Sequence, residues 1–331
     1  MSDASVATVG IEQVAAELRS RERFLLTAHE GPDGDALGSL LGMHHLLGQL
    51  GKDSVMFMAA KEFPLPIEYR FLPLEEVFHE PPADMADRTV VFLDCGNIDR
   101  MPVEFLSEGD NFRINIDHHH DNTHFGTVNL VVPEASCTAE IIWDLMGGLD
   151  LRPSCTIADA LYVGLITDTG RFMYENTGRR AHLMAADLID AGVDVHELYR
   201  RVYEGVPYGK LALLARGLAN VERYDDGRLT VTALTATDFH DSGAEESYSE
   251  GVIDHLRAVQ GTAVAALIRE RINNGGGSKV SLRASDDRVD VSAIARALGG
   301  GGHRQAAGFT TELSHEELVR FLRKTSPGTA G

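Results

Sequence analysis

Over the first two hundred residues, short apolar runs alternate with segments whose leucines recur at helical spacing. Phe24-Leu25-Leu26 predicts a strand, and Leu37, Leu40, Leu41, Leu47 and Leu50 then predict a helix that Gly51 stops. Residues 54–58 predict a second strand. After a loop holding Pro64, Pro66 and Pro73, the runs 89–93 and 112–116 predict two more, and each leads into an aspartate, Asp94 or Asp117. Helical periodicity returns over 138–146, 157–165, 180–191 and 195–203. Strands alternating with helices predict an α/β domain with a mostly parallel sheet and helices on both faces. In such sheets ligands bind beyond the carboxyl ends of the strands.

The order then changes. Turn residues at Gly205-Val206-Pro207-Tyr208-Gly209 predict a boundary that divides the chain into domains 1–205 and 206–331. Beyond it, residues 228–234, 262–272 and 279–283 alternate as strands, with a glycine-rich hairpin link at 273–277. A helix over 291–298, the run Gly299-Gly300-Gly301-Gly302 and a last helix over 315–322 complete a smaller α+β domain.

Composition narrows the function classes. The 331 residues suffice for two domains, and 44% hydrophobic with 24% charged residues is an ordinary globular balance. No run approaches the ~18 apolar residues a bilayer-spanning helix needs, which predicts a soluble protein without a membrane partner. The N-terminus has neither a basic leader nor an apolar run, so a cytoplasmic address is expected. Cys95, Cys137 and Cys155 are odd in number and far apart, which predicts reduced, mostly buried thiols and no disulfide frame or zinc ribbon. The net charge is −20. Residues 1–205 hold 15 basic and 34 acidic side chains, whereas residues 206–331 hold 15 and 16. Duplex DNA binding, which rests on neutralising many phosphates, is therefore excluded as a general activity. Small anionic substrates stay open, because divalent cations would supply positive charge where the carboxylates cluster.

The acid is placed suggestively. His29-Glu30-Gly31-Pro32-Asp33-Gly34-Asp35 follows the first strand on a tight turn into a helix, presenting His29, Asp33 and Asp35 at a strand's carboxyl end. Two residues apart, the carboxylates of Asp33 and Asp35 diverge and suit two adjacent metals better than one. Alone, the pair reads equally well as an Asx turn and helix cap. Asp94 ends another strand, Asp117-His118-His119-His120 ends a third, and Asp168 follows a helix before Thr169-Gly170-Arg171. Carboxylates gathered from these ends repel one another unless cations intervene. Ser39 and Ser136 sit in no nucleophile elbow, so no protein nucleophile is expected. His44, His45 and Trp143 read as structural.

The motif order HxxPDxDAxGS, a strand-ending Asp, Asp-His-His and Thr-Asp-Thr-Gly resembles the DHH phosphoesterases. Gly299-Gly300-Gly301-Gly302-His303 resembles their DHHA1 domain, and together the motifs cover nearly the whole chain. The two-domain size is most similar to the bacterial oligoribonuclease/3′-phosphoadenosine 5′-phosphate phosphatase group. The resemblance implies two Mn²⁺ ions, the first held by His29, Asp33 and Asp94, the second by Asp35, Asp94, His118 and Asp168, with Asp94 bridging. It also implies that Asp117 orients ligands, that His119 meets the scissile phosphate or protonates the leaving group, and that His120 is a bystander. Two cations can share a water, lower its pKa and stabilise charge during in-line attack on phosphorus.

In the second domain, consecutive glycines let backbone N–H groups converge on an oxyanion, with His303 as a further donor. The resemblance assigns a substrate phosphate to Gly300, Gly301, Gly302 and His303, and a nucleotide to Arg283; Arg171 is a weaker candidate of the same kind. The expected activity is hydrolysis of short single-stranded RNA and of 3′-phosphoadenosine 5′-phosphate, gripped across the inter-domain cleft. The rival with the same ligands is a phosphodiesterase for cyclic di-AMP or its linear product. An inorganic pyrophosphatase fits less well, since its second domain carries a Lys/Arg-rich grip. From another class, a non-catalytic nucleotide-sensing regulator would keep the metals without turnover. The family also implies a homodimer formed through the first domain.

Overall fold

The structure is a computed structural model that describes residues 8–100, 105–106, 110–271, 276–286, 288–302 and 304–326. The chain separates into two units, Met1–Gly205 and Val206–Gly331. In the first, β1 (Arg23–Ala28), β2 (Asp53–Phe57), β3 (Thr89–Leu93), β4 (Arg113–Asp117) and β5 (Val128–Val131) form one sheet in the order β2-β1-β3-β4-β5. Every neighbouring pair is parallel. β5 has no counterpart among the strands predicted from periodicity, because it spans four residues and carries the buried Asn129. That side chain bonds both N–H and C=O of Gly126 at 2.9 Å, so its polarity is satisfied locally.

The chain leaves β1 for β2 on one side and for β3, β4 and β5 on the other. Connections therefore diverge between β1 and β3 and leave a crevice at the carboxyl edge. The strands are buried almost continuously because both faces are covered. Phe24, Leu26, Val91 and Ile114 join the larger cluster, while Leu25, Phe57, Val90 and Phe92 form a smaller one.

Helices α1 (Ile11–Ser20), α2 (Gly34–Gln49), α3 (Thr138–Gly148), α4 (Cys155–Asp168), α5 (Arg179–Asp190) and α6 (Val195–Tyr203) complete the unit. α2 begins at the crevice because Asp33 caps it, accepting from the N–H groups of Asp35 and Ala36 at 3.0 and 3.1 Å, a bond worth about 1 kcal/mol. The first ten residues of α2 are all buried, and its principal partner is α4. A Cβ on Gly38 would lie 2.3 Å from the carbonyl oxygen of Ala160, so only glycine allows the two backbones this approach.

The second unit contains α7 (Tyr208–Ala219), β6 (Glu222–Tyr224), β7 (Leu229–Leu234), α8 (Ala236–Ser242), α9 (Val252–Arg257), β8 (Val264–Glu270), β9 (Ser278–Ala284), α10 (Val291–Arg296), β10 (Gly301–Gly302), β11 (Ala306–Thr311) and α11 (His315–Thr325). Its sheet runs β10-β11-β9-β8-β7-β6 and is antiparallel except between β7 and β8. Strand alternation splits the core: Val264, Ala266, Ile268, Val280 and Leu282 face Ile294, Leu318 and Leu322, while Ala265 and Leu267 pack with Leu213, Phe239, Val252 and Leu256. The hairpin link predicted at 273–277 lies partly outside the described residues; Gly276 and Gly277, which are described, both have positive φ. Among the described residues no helix is long and apolar enough to cross a membrane.

Candidate metal centre

The crevice collects the predicted residues of the first unit. His29 follows β1, and Gly31, at φ 65°, turns the chain toward the cap of α2. Asp94 follows β3 with φ 57°, a left-handed conformation that aspartate tolerates better than most residues. Its N–H still pairs with Ile116 O at 3.0 Å, which anchors the turn to β4. Asp117 ends β4, His118 and His119 follow it, and Asp168 is the last residue of α4.

Three groups of side chains bring ligand atoms within 4.8 Å of one another: His29 with Asp33 and Asp94, Asp35 with His118 and Asp168, and Asp94 with His118 and His119. Asp94 is 2% exposed and joins two of the groups. His29 Nε2 lies 3.4 Å from one of its oxygens, and His118 Nε2 lies 3.5 Å from the other and 3.7 Å from Asp168. Asp33 is both cap and member of a ligand group, so the two readings of that motif hold together.

The charges explain the fit to cations. Burial disfavours charge on Asp35, and the neighbouring Asp94 and Asp168 carboxylates add to it, pushing its pKa well above the ordinary range. Burial likewise lifts Asp168 to about 7, with the negative neighbours Asp94 and Asp33 adding to the rise. Asp94 is also buried, but the hydrogen bond and charge of His29 outweigh that and hold it below the usual carboxylate range. Burial opposes a charge on His29 too; its bond to Asp94 wins and raises it to about 9. Protons thus do some of the neutralising that a divalent ion would do better. The His29 tautomer suits such an ion, since Nδ1 donates to Glu30 O at 2.9 Å and leaves Nε2 facing Asp94. Carboxylate and imidazole donors fit Mn²⁺ or a similar divalent cation.

The surrounding groups fix these side chains. α3 points its N-terminus at the centre: Thr138 and Ala139 donate backbone N–H bonds of 2.6 and 3.0 Å to the two oxygens of Asp35, and Thr138 Oγ1 donates to Asp94 at 3.1 Å. Ser39 Oγ adds a bond of 3.3 Å to Asp35. Gly164 leaves the space, because a Cβ there would fall 2.7 Å from Asp35 Oδ1. Asp117 is buried between two donors, His119 Nδ1 at 2.7 Å and Asn122 Nδ2 at 2.5 Å. Asn176 Nδ2 reaches Asp168 Oδ2 at 3.3 Å and Ser136 O at 2.8 Å. Thr138, Asn122 and Asn176 do not stand out among the sequence motifs. The signal for Thr138 was a threonine before an apolar helical run, which marks a helix N-terminus.

Other expected residues have the following positions. His120 is exposed. Ser136 Oγ donates to Glu140 at 2.6 Å. Cys95 and Cys137 are buried and Cys155 is exposed. The Arg171 guanidinium lies 4.4 Å from the centroid of the Tyr203 ring. In the second unit, Arg283 stands half-buried on β9 and donates to Leu282 O at 3.1 Å. The N–H groups of Gly299 and Gly300 close the end of α10 on Arg296 O and Ala295 O, while Gly301 and Gly302 pair with β11 opposite Gly308 and Ala307. His303 lies outside the described residues.

Residues 23–165 match the DHH family, N-terminal domain, and residues 226–325 match the DHHA1 domain. The chain is 36% identical over 308 residues to the bifunctional oligoribonuclease and PAP phosphatase NrnA of Thermus thermophilus, covering 90% of this chain and 89% of that one. Its fold superposes on an exopolyphosphatase-related protein from Bacteroides fragilis with a TM-score of 0.84 at 23% identity, over 95% of each chain. Exonuclease RecJ bound to manganese is more distant, with a TM-score of 0.54 and 18% identity over 99% of this chain and 96% of that one. With both domains matched in order and a relative 36% identical over 90% of the chain, the chain belongs to the DHH family.

Proposed function

We propose that the chain is a phosphoesterase that uses a pair of divalent cations, of which manganese is the expected physiological choice, to hydrolyse short single-stranded RNA and 3′-phosphoadenosine 5′-phosphate. The observation that carries the reading is the set of ligand groups joined through Asp94 and His118 at the crevice. The likeness to an oligoribonuclease and PAP phosphatase over 90% of the chain supports the substrate class.

His29, Asp33 and Asp94 would hold one cation, and Asp35, Asp94, His118 and Asp168 the other. When bound, such cations supply Lewis acidity toward phosphoryl oxygens and a water acidic enough to ionise near neutral pH. The chain's own groups do the rest. Asp35 is kept in place by the N-terminus of α3, and Asp168 by Asn176. His119 gives its Nδ1 proton to the bond with Asp117, which leaves Nε2 to meet the phosphate or protonate the departing oxygen. In the second unit, Gly301, Gly302 and His303 would hold a substrate phosphate and Arg283 the nucleotide, whereas the N–H of Gly300, which the resemblance groups with them, is taken by Ala295 O at 2.9 Å.

A manganese-supplemented panel of dinucleotide RNA, longer RNA, 3′-phosphoadenosine 5′-phosphate and cyclic di-AMP tests this. Rapid turnover of the dinucleotide and of the bisphosphate, with slow turnover of longer RNA, is expected. Exclusive cleavage of cyclic di-AMP would replace the substrate assignment, and no hydrolysis of any of them, read as mononucleotide from the RNAs and cyclic di-AMP and as phosphate from the bisphosphate, would overturn the hydrolytic reading.

A further inference from the structure

The turn that leads into α3 meets the metal centre at three aspartates, and none of its own side chains caps the helix. Cys137 stands at the N-cap in extended backbone and makes no side-chain bond there. The N–H groups of Thr138 and Ala139, which a helix start leaves without partners, go to the two oxygens of Asp35, so that a carboxylate on α2 caps α3. Thr138 Oγ1 reaches Asp94. Ser136 O accepts from the Asn176 amide, which also reaches Asp168. Residues 136–139 thus touch Asp35 and Asp94 directly and Asp168 through one side chain.

A buried carboxylate outside the ligand groups sets where that turn lies. Glu140, 2% exposed, is the third residue of α3 and folds back on the turn: its Oε2 accepts from Ser136 N–H at 3.1 Å and from Ser136 Oγ at 2.6 Å. A glutamate at this helix position ordinarily reaches the N–H of the N-cap. Here it reaches one residue further back, to the same residue whose carbonyl Asn176 uses. Its other oxygen, Oε1, accepts from Arg180 Nε on α5 at 2.9 Å. Arg180 also pairs with Asp144 and lies 5.4 Å from the centroid of the Trp143 ring. A carboxylate withdrawn from water is costly unless it is paired and hydrogen-bonded, and Glu140 is both. It belongs to none of the three groups of ligand atoms at the crevice.

We propose that Glu140 is a positioning residue for one cation of the pair, the one that Asp35 and Asp168 would share, and that Arg180 steadies it from α5. The inference rests on the reading of the crevice as a cation centre and adds to it a selectivity between the two sites. Asp35 takes two backbone donors from the turn, and Asp168 is tied to it through Asn176. His29 and Asp33 are held instead by Glu30, Asp35 and Ala36. Loosening the turn therefore disturbs the ligands of one cation and spares most of those of the other. Groups that orient metal ligands typically change affinity by about tenfold to a hundredfold when removed.

Manganese binding by the full-length protein, followed calorimetrically, tests this with Glu140→Ala, Glu140→Gln and Ser136→Ala. The wild type is expected to bind two ions. Glu140→Ala should bind one about as tightly and the other roughly tenfold to a hundredfold more weakly. Glu140→Gln, whose amide oxygen can still accept from Ser136, should recover most of that loss. Equal weakening of both ions would mean a general loosening of the fold and would overturn the assignment, as would a glutamine variant as weak as the alanine one. Should Glu140→Ala not fold, Ser136→Ala decides, since it removes the 2.6 Å bond and leaves Glu140 with Arg180. A weakening of about threefold confined to one ion supports the role, and any other result refutes it. A wild type that binds no manganese would sink the cation reading itself, whereas two ions held equally well by wild type and variants would sink only the role of Glu140.

Discussion

His119 and Asp117 act as a unit, and Asn122 completes it. Each oxygen of Asp117 takes one donor, so the carboxylate cannot rotate without breaking a bond to His119 or Asn122. Asn122→Ala should therefore lower kcat by about tenfold with a small change in KM, and lower stability by about 1–3 kcal/mol as a buried carboxylate oxygen loses its donor. Steady-state kinetics and urea denaturation check both. Asp94→Ala should remove RNA and bisphosphate hydrolysis together and abolish the binding of one manganese by calorimetry; a metal-replete, active variant would contradict the bridging role. Arg283→Ala should chiefly raise KM. The acids and histidines of the centre were legible because they end apolar strands in a chain otherwise patterned for burial. The donors that hold them were not. Thr138 and Ala139 use backbone N–H groups that any residue possesses, and the role of Asn122 depends on two loops folding back to the same strand end.

Strands that are apolar runs and helices with clear apolar spacing were readable, whereas α1 and α7 were not, although they span ten and twelve residues. β1, β3, α4 and α6 lie where their apolar spacing predicts, within a few residues. α8 and α9, of seven and six residues, are too brief to show a period; α8 owes its start to the capping box between Thr235 and Asp238. The leucines of α2 predicted a helix, but its close approach to α4 rests on Gly38, which carries no apolar signal. Gly38→Ala places a methyl group against the Ala160 carbonyl and should cost about 1–3 kcal/mol, with loss of metal affinity as Asp33 and Asp35 shift with the helix. Denaturation together with manganese titration tests this. Unchanged stability would mean that the two helices separate without penalty.

For the whole molecule, a net charge of −20 and the local charges of the centre lead to the same expectation about pH. Burial opposes a charge on His29 and, less completely, on the half-buried His119, yet both are raised to about 9, chiefly by hydrogen bonds to Asp94 and Asp117 respectively. A histidine whose pKa is raised by folding stabilises fully below its unfolded value of 6.5 and loses that contribution as pH climbs through the folded value. Asp168, an acid raised to about 7, destabilises progressively from its unfolded value of 3.8 up to that pH. Asp94, depressed by His29, contributes above 3.8 and loses its contribution in strong acid. The metal-free protein should thus be most heat-stable in mild acid and lose stability steadily from pH 6.5 to above 9. Saturating manganese, which takes the place of those protons, should flatten that decline. Thermal scans across this range, with chelator and with manganese, test it; parallel curves would count against a cation centre. The left-handed backbone at Asp94 has a last consequence. Glycine would occupy that position more comfortably, but it would leave the His29 and His118 imidazoles and the Thr138 hydroxyl without the acceptor they share. A population of variants screened only for heat resistance without metal should therefore keep aspartate at residue 94, durability and turnover resting on the same carboxylate.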